Sequence, residues 1–150
     1  MTDYKMLTAQ VKALAEDEKW FVPLLSNASA VLYDNLEGLN WAGFYIMRDG
    51  ALVLGPFQGK VACINIALGK GVCGTAAAKD ETLVVPDVHQ FPGHIACDSA
   101  SNSEIVVPIH KDGKVVGVLD IDSPNFDRFS EEDRIGLEAF VKAIEEEIEF

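Results

Sequence analysis

The chain has 150 residues, 49% of them hydrophobic, and 24 Asp and Glu against 12 Lys and Arg give it a net charge of −12. That is enough apolar material for one ordinary domain with a real core, expected to span residues 1–150. The acidic balance leaves no basic footprint for neutralising phosphates, which excludes nucleic acid and anionic membrane as expected partners.

Met1-Thr2-Asp3-Tyr4-Lys5 leads into an amphipathic segment, so neither a signal peptide nor a membrane span is expected and the chain is assigned to the cytoplasm. Leu7, Val11, Leu14 and Ala15 recur at helical spacing, as do Phe21, Leu24, Leu25, Ala28, Val31 and Leu32, with Pro23 tolerable in a first turn. Two helices are therefore predicted. From Trp41 the pattern changes to two β runs around Asp49-Gly50, a hairpin signal that Asp112-Gly113 repeats between Ile105–Ile109 and Val115–Ile121. Pro108 points to an edge or a bulge in its strand. Between the hairpins lie a strand near Ile64-Asn65-Ile66, a short helix through Thr75–Ala78 and a strand at Leu83-Val84-Val85. A long loop from Pro86 to Ser103, carrying His89, His94 and Cys97, follows, and loops of that length are often functional. Ser130 is a suitable N-cap for a last helix with Ile135, Phe140, Val141, Ile144 and Ile148 on its buried stripe. The acidic residues from Glu145 to Glu149 sit unfavourably at that helix's negative end, and the sequence offers no reason for them. Helices, antiparallel hairpins and a final helix make an α+β fold: a central, mostly antiparallel sheet with helices packed on it.

Asp120 and Asp122 stand on one face of an otherwise apolar strand, so either that face is wet or binds a cation, or both residues fray out at the strand end. Glu104 joins them or not according to the turn. A two-residue Asp112-Gly113 turn pairs Lys111 with Lys114 and sets Glu104 opposite Ile121, facing away. A three-residue Lys111-Asp112-Gly113 loop sets Glu104 opposite Asp120 and puts three carboxylates on one face. Such a cluster suits a small ammonium ligand, and a carboxyl with a raised pKa can lend a proton. Trp41 and Tyr45 share a strand face and can wall an apolar pocket, although core packing is the commoner role for strand aromatics.

Three cysteines in a reducing compartment argue against a static disulfide framework, and their spacing matches no zinc or Cys-x-x-Cys pattern, so no metal and no cofactor is expected. Cys97 lies in a polar segment where access is easy and a nearby His favours the thiolate. Cys73 sits among glycines at a helix start, where free backbone N–H groups would favour a thiolate too, and Cys63 has the most apolar surroundings and the most buried setting.

Gly55-Pro56-Phe57-Gln58-Gly59, Gly69-Lys70-Gly71-Val72-Cys73-Gly74, the run from Val88 to Asp98, Ser103–Pro108 and Gly117–Asp122 resemble the free methionine-(R)-sulfoxide reductases, a group of GAF-domain enzymes, along essentially the whole chain. The resemblance implies a GAF-like fold and reduction of free methionine (R)-sulfoxide. It implies that Cys97 is the catalytic cysteine, with Cys63 and Cys73 at the positions that supply a resolving thiol and Cys63 preferred. Trp41 and Tyr45 match pocket walls, and Glu104, Asp120 and Asp122 match the acidic residues around the substrate, which favours the three-residue loop. A sulfenic acid on Cys97 would condense to a disulfide and a thioredoxin-like dithiol would reopen it. A homodimer is implied as well. Two other functions fit the residues: a GAF-type small-molecule sensor with structural cysteines, and a thiol peroxidase or redox sensor.

Overall fold

The computed structural model describes residues 2–94, 97 and 99–150; Ile95, Ala96 and Asp98 of the predicted long loop lie outside the described residues, as does Met1. Helices α1 (Tyr4–Asp17) and α2 (Phe21–Asn35) precede strands β1 (Trp41–Arg48), β2 (Ala51–Gly59) and β3 (Asn65–Ala67). Helix α3 (Gly71–Lys79), strands β4 (Leu83–Val85), β5 (Ser103–Lys111) and β6 (Lys114–Ser123), and helix α4 (Glu131–Glu145) follow. The strands form one sheet in the order β3-β2-β1-β6-β5-β4, antiparallel at each pairing. The α+β expectation holds, and the long loop has some order of its own: a 3₁₀ turn at Val88–Gln90 that the Asp87 side chain caps. No described helix is long and apolar enough to cross a membrane.

Strand alternation divides the interior in two. Ala42 and Phe44 of β1, Ile105, Val107 and Ile109 of β5 and Leu119 and Ile121 of β6 face one core with α1, α2 and α4. Trp41, Tyr45, Val106 and Val118 point the other way, into a smaller cluster with Val72, Cys73 and Ala76 of α3. The large core holds the sheet flat against three helices. The small one leaves room between sheet and α3, and there the candidate site forms.

Register decides what reaches that face. In both hairpin turns the central residues have positive φ, 52° and 81° at Asp49 and Gly50 and 54° and 77° at Asp112 and Gly113, a geometry Asp-Gly adopts readily. Lys111 pairs with Lys114, so the loop has two residues and the three-residue loop is not formed. Yet Glu104 does not turn away as a plain two-residue turn requires. A bulge intervenes: His110 pairs with Val115 but Ile109 with Gly117, and the one-residue shift sets Glu104 opposite Asp122 and Val106 opposite Asp120. The three carboxylates do share a face, through a bulge in β6 that neither turn arithmetic contained. Pro108 of β5 lies past the end of β4, which pairs only with Glu104, Ile105 and Val106, so its missing N–H costs no ladder bond on that side.

Ser130 caps α4 as predicted, in a capping box with Asp133. Of the expected stripe, Phe140, Val141 and Ile144 are buried in α4 and Ile148 beyond its end, joined by Asp133, Gly136, Leu137 and Ala143, whereas Ile135 is exposed. Ile135 falls about 200° around the helix from both Asp133 and Leu137, which themselves face α1, where Tyr4 Oη donates to Asp133 Oδ1 at 2.6 Å. Two of the acidic residues at the C-terminus also find their reason. Glu147 pairs with Lys19, and Glu145 accepts both the backbone N–H and ring Nδ1 of His110 at 2.6 and 2.9 Å.

His110 Nε2 meets Asp80 at 2.5 Å, so one imidazole ties the end of α3 to α4 across β5. Burial pulls its pKa down, but the hydrogen bonds and charges of Asp80 and Glu145 outweigh that and leave it raised. A raised histidine pKa stabilises the fold fully below the unfolded value of about 6.5, and the contribution is lost as pH climbs through the folded value. His110→Gln is expected to melt about 2 °C below wild type at pH 6, a small effect because the pair is solvent-screened, and the gap should close by pH 9 in calorimetry.

Candidate active site

β1 supplies an aromatic wall. Trp41 and Tyr45 stack with ring centroids 5.9 Å apart, and Phe57 of β2 stacks on the far side of Trp41 at 5.1 Å. Gly43, between them on the same face, leaves the space in which the Trp41 ring lies: a Cβ there would collide with Phe57 Cβ and come within 2.8 Å of Phe57 Cα and Trp41 Cη2. Backbone cannot give way as a side chain can. Gly43→Ala is therefore expected to cost about 2 kcal/mol by overpacking and to lower Tm by about 6 °C, read by thermal melting. Two hydrogen bonds fix the wall to the segment after β2: Trp41 Nε1 donates to the Lys60 carbonyl at 3.1 Å and Tyr45 Oη to the Cys63 carbonyl at 3.0 Å.

Opposite the aromatics stand Glu104 and Asp120, both buried, and half-buried Asp122. Burial first, then the charges of Asp120 and Asp122, push the Glu104 carboxyl well above the ordinary carboxylate range. Burial raises Asp120 too, though hydrogen bonds from Glu104 and Cys73 hold it back. Both carboxyls are thus pushed toward the protonated form, Glu104 with more causes acting upward, and Asp120 Oδ1 has no hydrogen-bond partner among the described residues. Cys73 Sγ, Glu104 and Asp120 each offer an atom within 4.8 Å of the others, close enough to surround one small cationic group. As a zinc set they fall one short of the four ligands that a structural zinc site takes.

Cys97 is accessible as expected, but Cys63 and Cys73 differ from the sequence reading. Cys73 is the buried one, and burial with the charges of Asp120, Glu104 and Asp122 raises its pKa far up. Position at a helix start is outweighed there by three carboxyl neighbours, so Cys73 stays a thiol; its Sγ donates weakly to Glu104 Oε2 at 3.9 Å. Cys63 is only half-buried and Cys97 exposed, and the two form a disulfide with Cα atoms 5.6 Å apart. His94, expected to favour a thiolate, has its pKa lowered by burial and then by His89, and a neutral imidazole supplies no standing positive charge.

All of the sequence-derived residues except Cys63 line one cavity of about 50 Å³, and Cys63 is bonded to Cys97 at its mouth. The structure adds Lys70, His94 and Ser101 to the lining and Phe57 behind Trp41. Phe57 and Lys70 lie in the glycine-flanked motifs Gly55–Gly59 and Gly69–Gly74, so the signal was a turn composition whose partner no spacing rule specifies. Gly93 reaches the cavity rim by accepting the Gly71 N–H at 3.2 Å, which moors the long loop to the start of α3.

The sheet carries three helices on one face and a small cleft beneath α3 on the other, and the family model described as GAF domain matches residues 22–148. Among relatives, the free methionine-R-sulfoxide reductase of Escherichia coli is 52% identical over 142 residues, covering 95% of this chain and 86% of the relative. The structure of fRMsr of Staphylococcus aureus in complex with substrate superposes with a TM-score of 0.94 at 55% identity, covering 99% of this chain and 97% of the other. That of the free methionine-R-sulfoxide reductase from Neisseria meningitidis in complex with its substrate gives 0.92 at 44% identity, covering 96% and 87%. The chain belongs to the free methionine-R-sulfoxide reductase family of GAF domains.

Proposed function

We propose that the protein reduces free L-methionine (R)-S-oxide to L-methionine, with Cys97 as nucleophile, Cys63 as resolving thiol and a thioredoxin-like dithiol as reductant. The observation that carries the reading is the Cys63–Cys97 disulfide at the mouth of an acid-lined, aromatic-walled cavity. Family membership adds the substrate named for its relatives.

The chemistry follows from the groups present. Asp120, with Asp122 beside it, receives the substrate ammonium, and Trp41 and Tyr45 pack the methyl and the side chain. Cys97 thiolate attacks the sulfoxide sulfur while the Glu104 carboxyl gives its proton to the oxygen. The oxygen ends on Cys97 as a sulfenic acid and methionine departs with its thioether restored. Cys63 then attacks Cys97 Sγ, water leaves and the disulfide forms, which the external dithiol reopens by exchange. Cys73, held as a thiol, donates within the carboxyl cluster and does not attack. The Cys63–Cys97 bond ties up the attacking sulfur, so the substrate is turned over by the reduced protein. A disulfide reopened in each cycle requires a compartment that supplies thiols, consistent with a cytoplasmic chain.

The test is dithiol-dependent turnover of the separated R and S epimers of free methionine sulfoxide and of an N-acetylated, amidated derivative. Turnover of the free R epimer alone is expected. No turnover of that epimer, or equal turnover of the blocked derivative, would overturn the reading, because a blocked amine gives Asp120 no ammonium to bind.

A further inference from the structure

The segments that frame the disulfide differ from the rest of the surface in two respects. Val61 and Ile64, on either side of Cys63, are 87% and 65% exposed, and nothing among the described residues covers them. Residues 60–70 and 91–101 carry Lys60 and Lys70 against one acid, Asp98, in a chain where acids outnumber bases 24 to 12. Both lysines are exposed, and Lys70 lines the cavity mouth beside Cys97. Exposed branched aliphatics next to a reactive bond, rimmed by the minority charge, have the composition of a contact face for an oppositely charged protein.

From this we infer that Val61, Ile64, Lys60 and Lys70 form the docking face for the reductant, a dithiol protein whose nucleophilic cysteine is set in an apolar patch with an acidic rim. The inference rests on the disulfide cycle proposed above. The partner's apolar patch covers Val61 and Ile64 while its acidic rim meets the lysines, which brings its thiolate to the exposed sulfur, Cys97 Sγ. A bond forms between the partner's sulfur and Cys97 Sγ, the Cys63–Cys97 bond breaks, and Cys63 leaves as a thiolate that solvent protonates. The partner's second thiol, deprotonated, then displaces Cys97 and departs as a disulfide, so two electrons have moved from partner to protein. A small dithiol performs the same exchange without needing the face.

The experiment measures reduction of the Cys63–Cys97 disulfide itself, by rapid mixing and alkylation, with a thioredoxin and with dithiothreitol as separate reductants. The double variant Ile64→Asn, Lys60→Gln is compared with wild type. Reduction by thioredoxin is expected to slow about tenfold and reduction by dithiothreitol to stay unchanged, with the thioredoxin rate falling as salt rises. An unchanged thioredoxin rate, or equal slowing with both reductants, would overturn the inference. So would a mixed disulfide, trapped with a thioredoxin lacking its second cysteine, that maps to Cys63. These rates need no substrate. Failure of the reductase reading itself shows separately, as absence of methionine sulfoxide turnover with dithiothreitol.

Discussion

Cys97→Ser is expected to lower turnover of free methionine (R)-sulfoxide by about a thousandfold or more, with substrate binding little changed. A serine hydroxyl keeps the volume and the hydrogen bonding but not the nucleophile, and neither remaining thiol takes over. Cys73 is held protonated by its burial and by the carboxyl cluster, and Cys63 contributes its backbone carbonyl, through Tyr45, but not its side chain to the cavity lining. Cys63→Ser should behave differently. It leaves the attacking thiol intact, so one equivalent of methionine per protein forms in a burst and turnover then depends on direct reduction of the sulfenic acid. Rapid-quench measurement of methionine separates the two variants: no burst for Cys97→Ser, a stoichiometric burst for Cys63→Ser. A burst surviving in Cys97→Ser would move the nucleophile elsewhere.

What the sequence revealed of this site depended on how local the determinant was. Period-two alternation placed Trp41 with Tyr45 and Asp120 with Asp122 correctly, because side-chain direction along one strand is a local property. Placing Glu104 with the aspartates required the register between two strands, and that register is set by a bulge at Val115–Gly117, whose one local sign is a glycine inside the strand. At its end Gly117 lies so close to the Tyr45 carbonyl, 2.5 Å from a Cβ placed there, that only glycine fits, a contact between β6 and β1 invisible from either strand alone. Cysteine burial was misjudged for the same reason. Cys63 has apolar neighbours in sequence but sits at the cavity mouth, whereas Cys73, among glycines, is buried against acids brought from β5 and β6. Ile135 was placed on the buried stripe of α4 by its hydrophobicity, but the helix turns toward α1 the polar Asp133 instead, which Tyr4 satisfies.

Asp120→Asn is the second large effect, and it should run in opposite directions for activity and stability. Removal of the charge that receives the substrate ammonium is expected to lower kcat/KM by about a hundredfold, through KM more than kcat. Stability should rise. Burial raises the folded pKa of Asp120, and burial with the neighbouring charges raises Glu104 further. For such groups folding is favoured when they are protonated. Their contribution is complete below the unfolded values of about 4, and is lost as pH rises through the raised folded values. Above those values the native state bears a buried negative charge, and the amide of Asp120→Asn removes that charge at nearly constant shape. Tm at pH 7 is expected to rise by about 3 °C, the shift that roughly 1 kcal/mol gives a chain of this length, and the gain should vanish near pH 4. Paired melts at the two pH values check it. A variant less stable than wild type at pH 7 would mean that the hydrogen bonds from Glu104 and Cys73 to Asp120 outweigh the cost of burying its charge, and would remove the reason for assigning it to the ammonium. A buried carboxylate that is costly without a counter-charge is one that a small ammonium ligand stabilises.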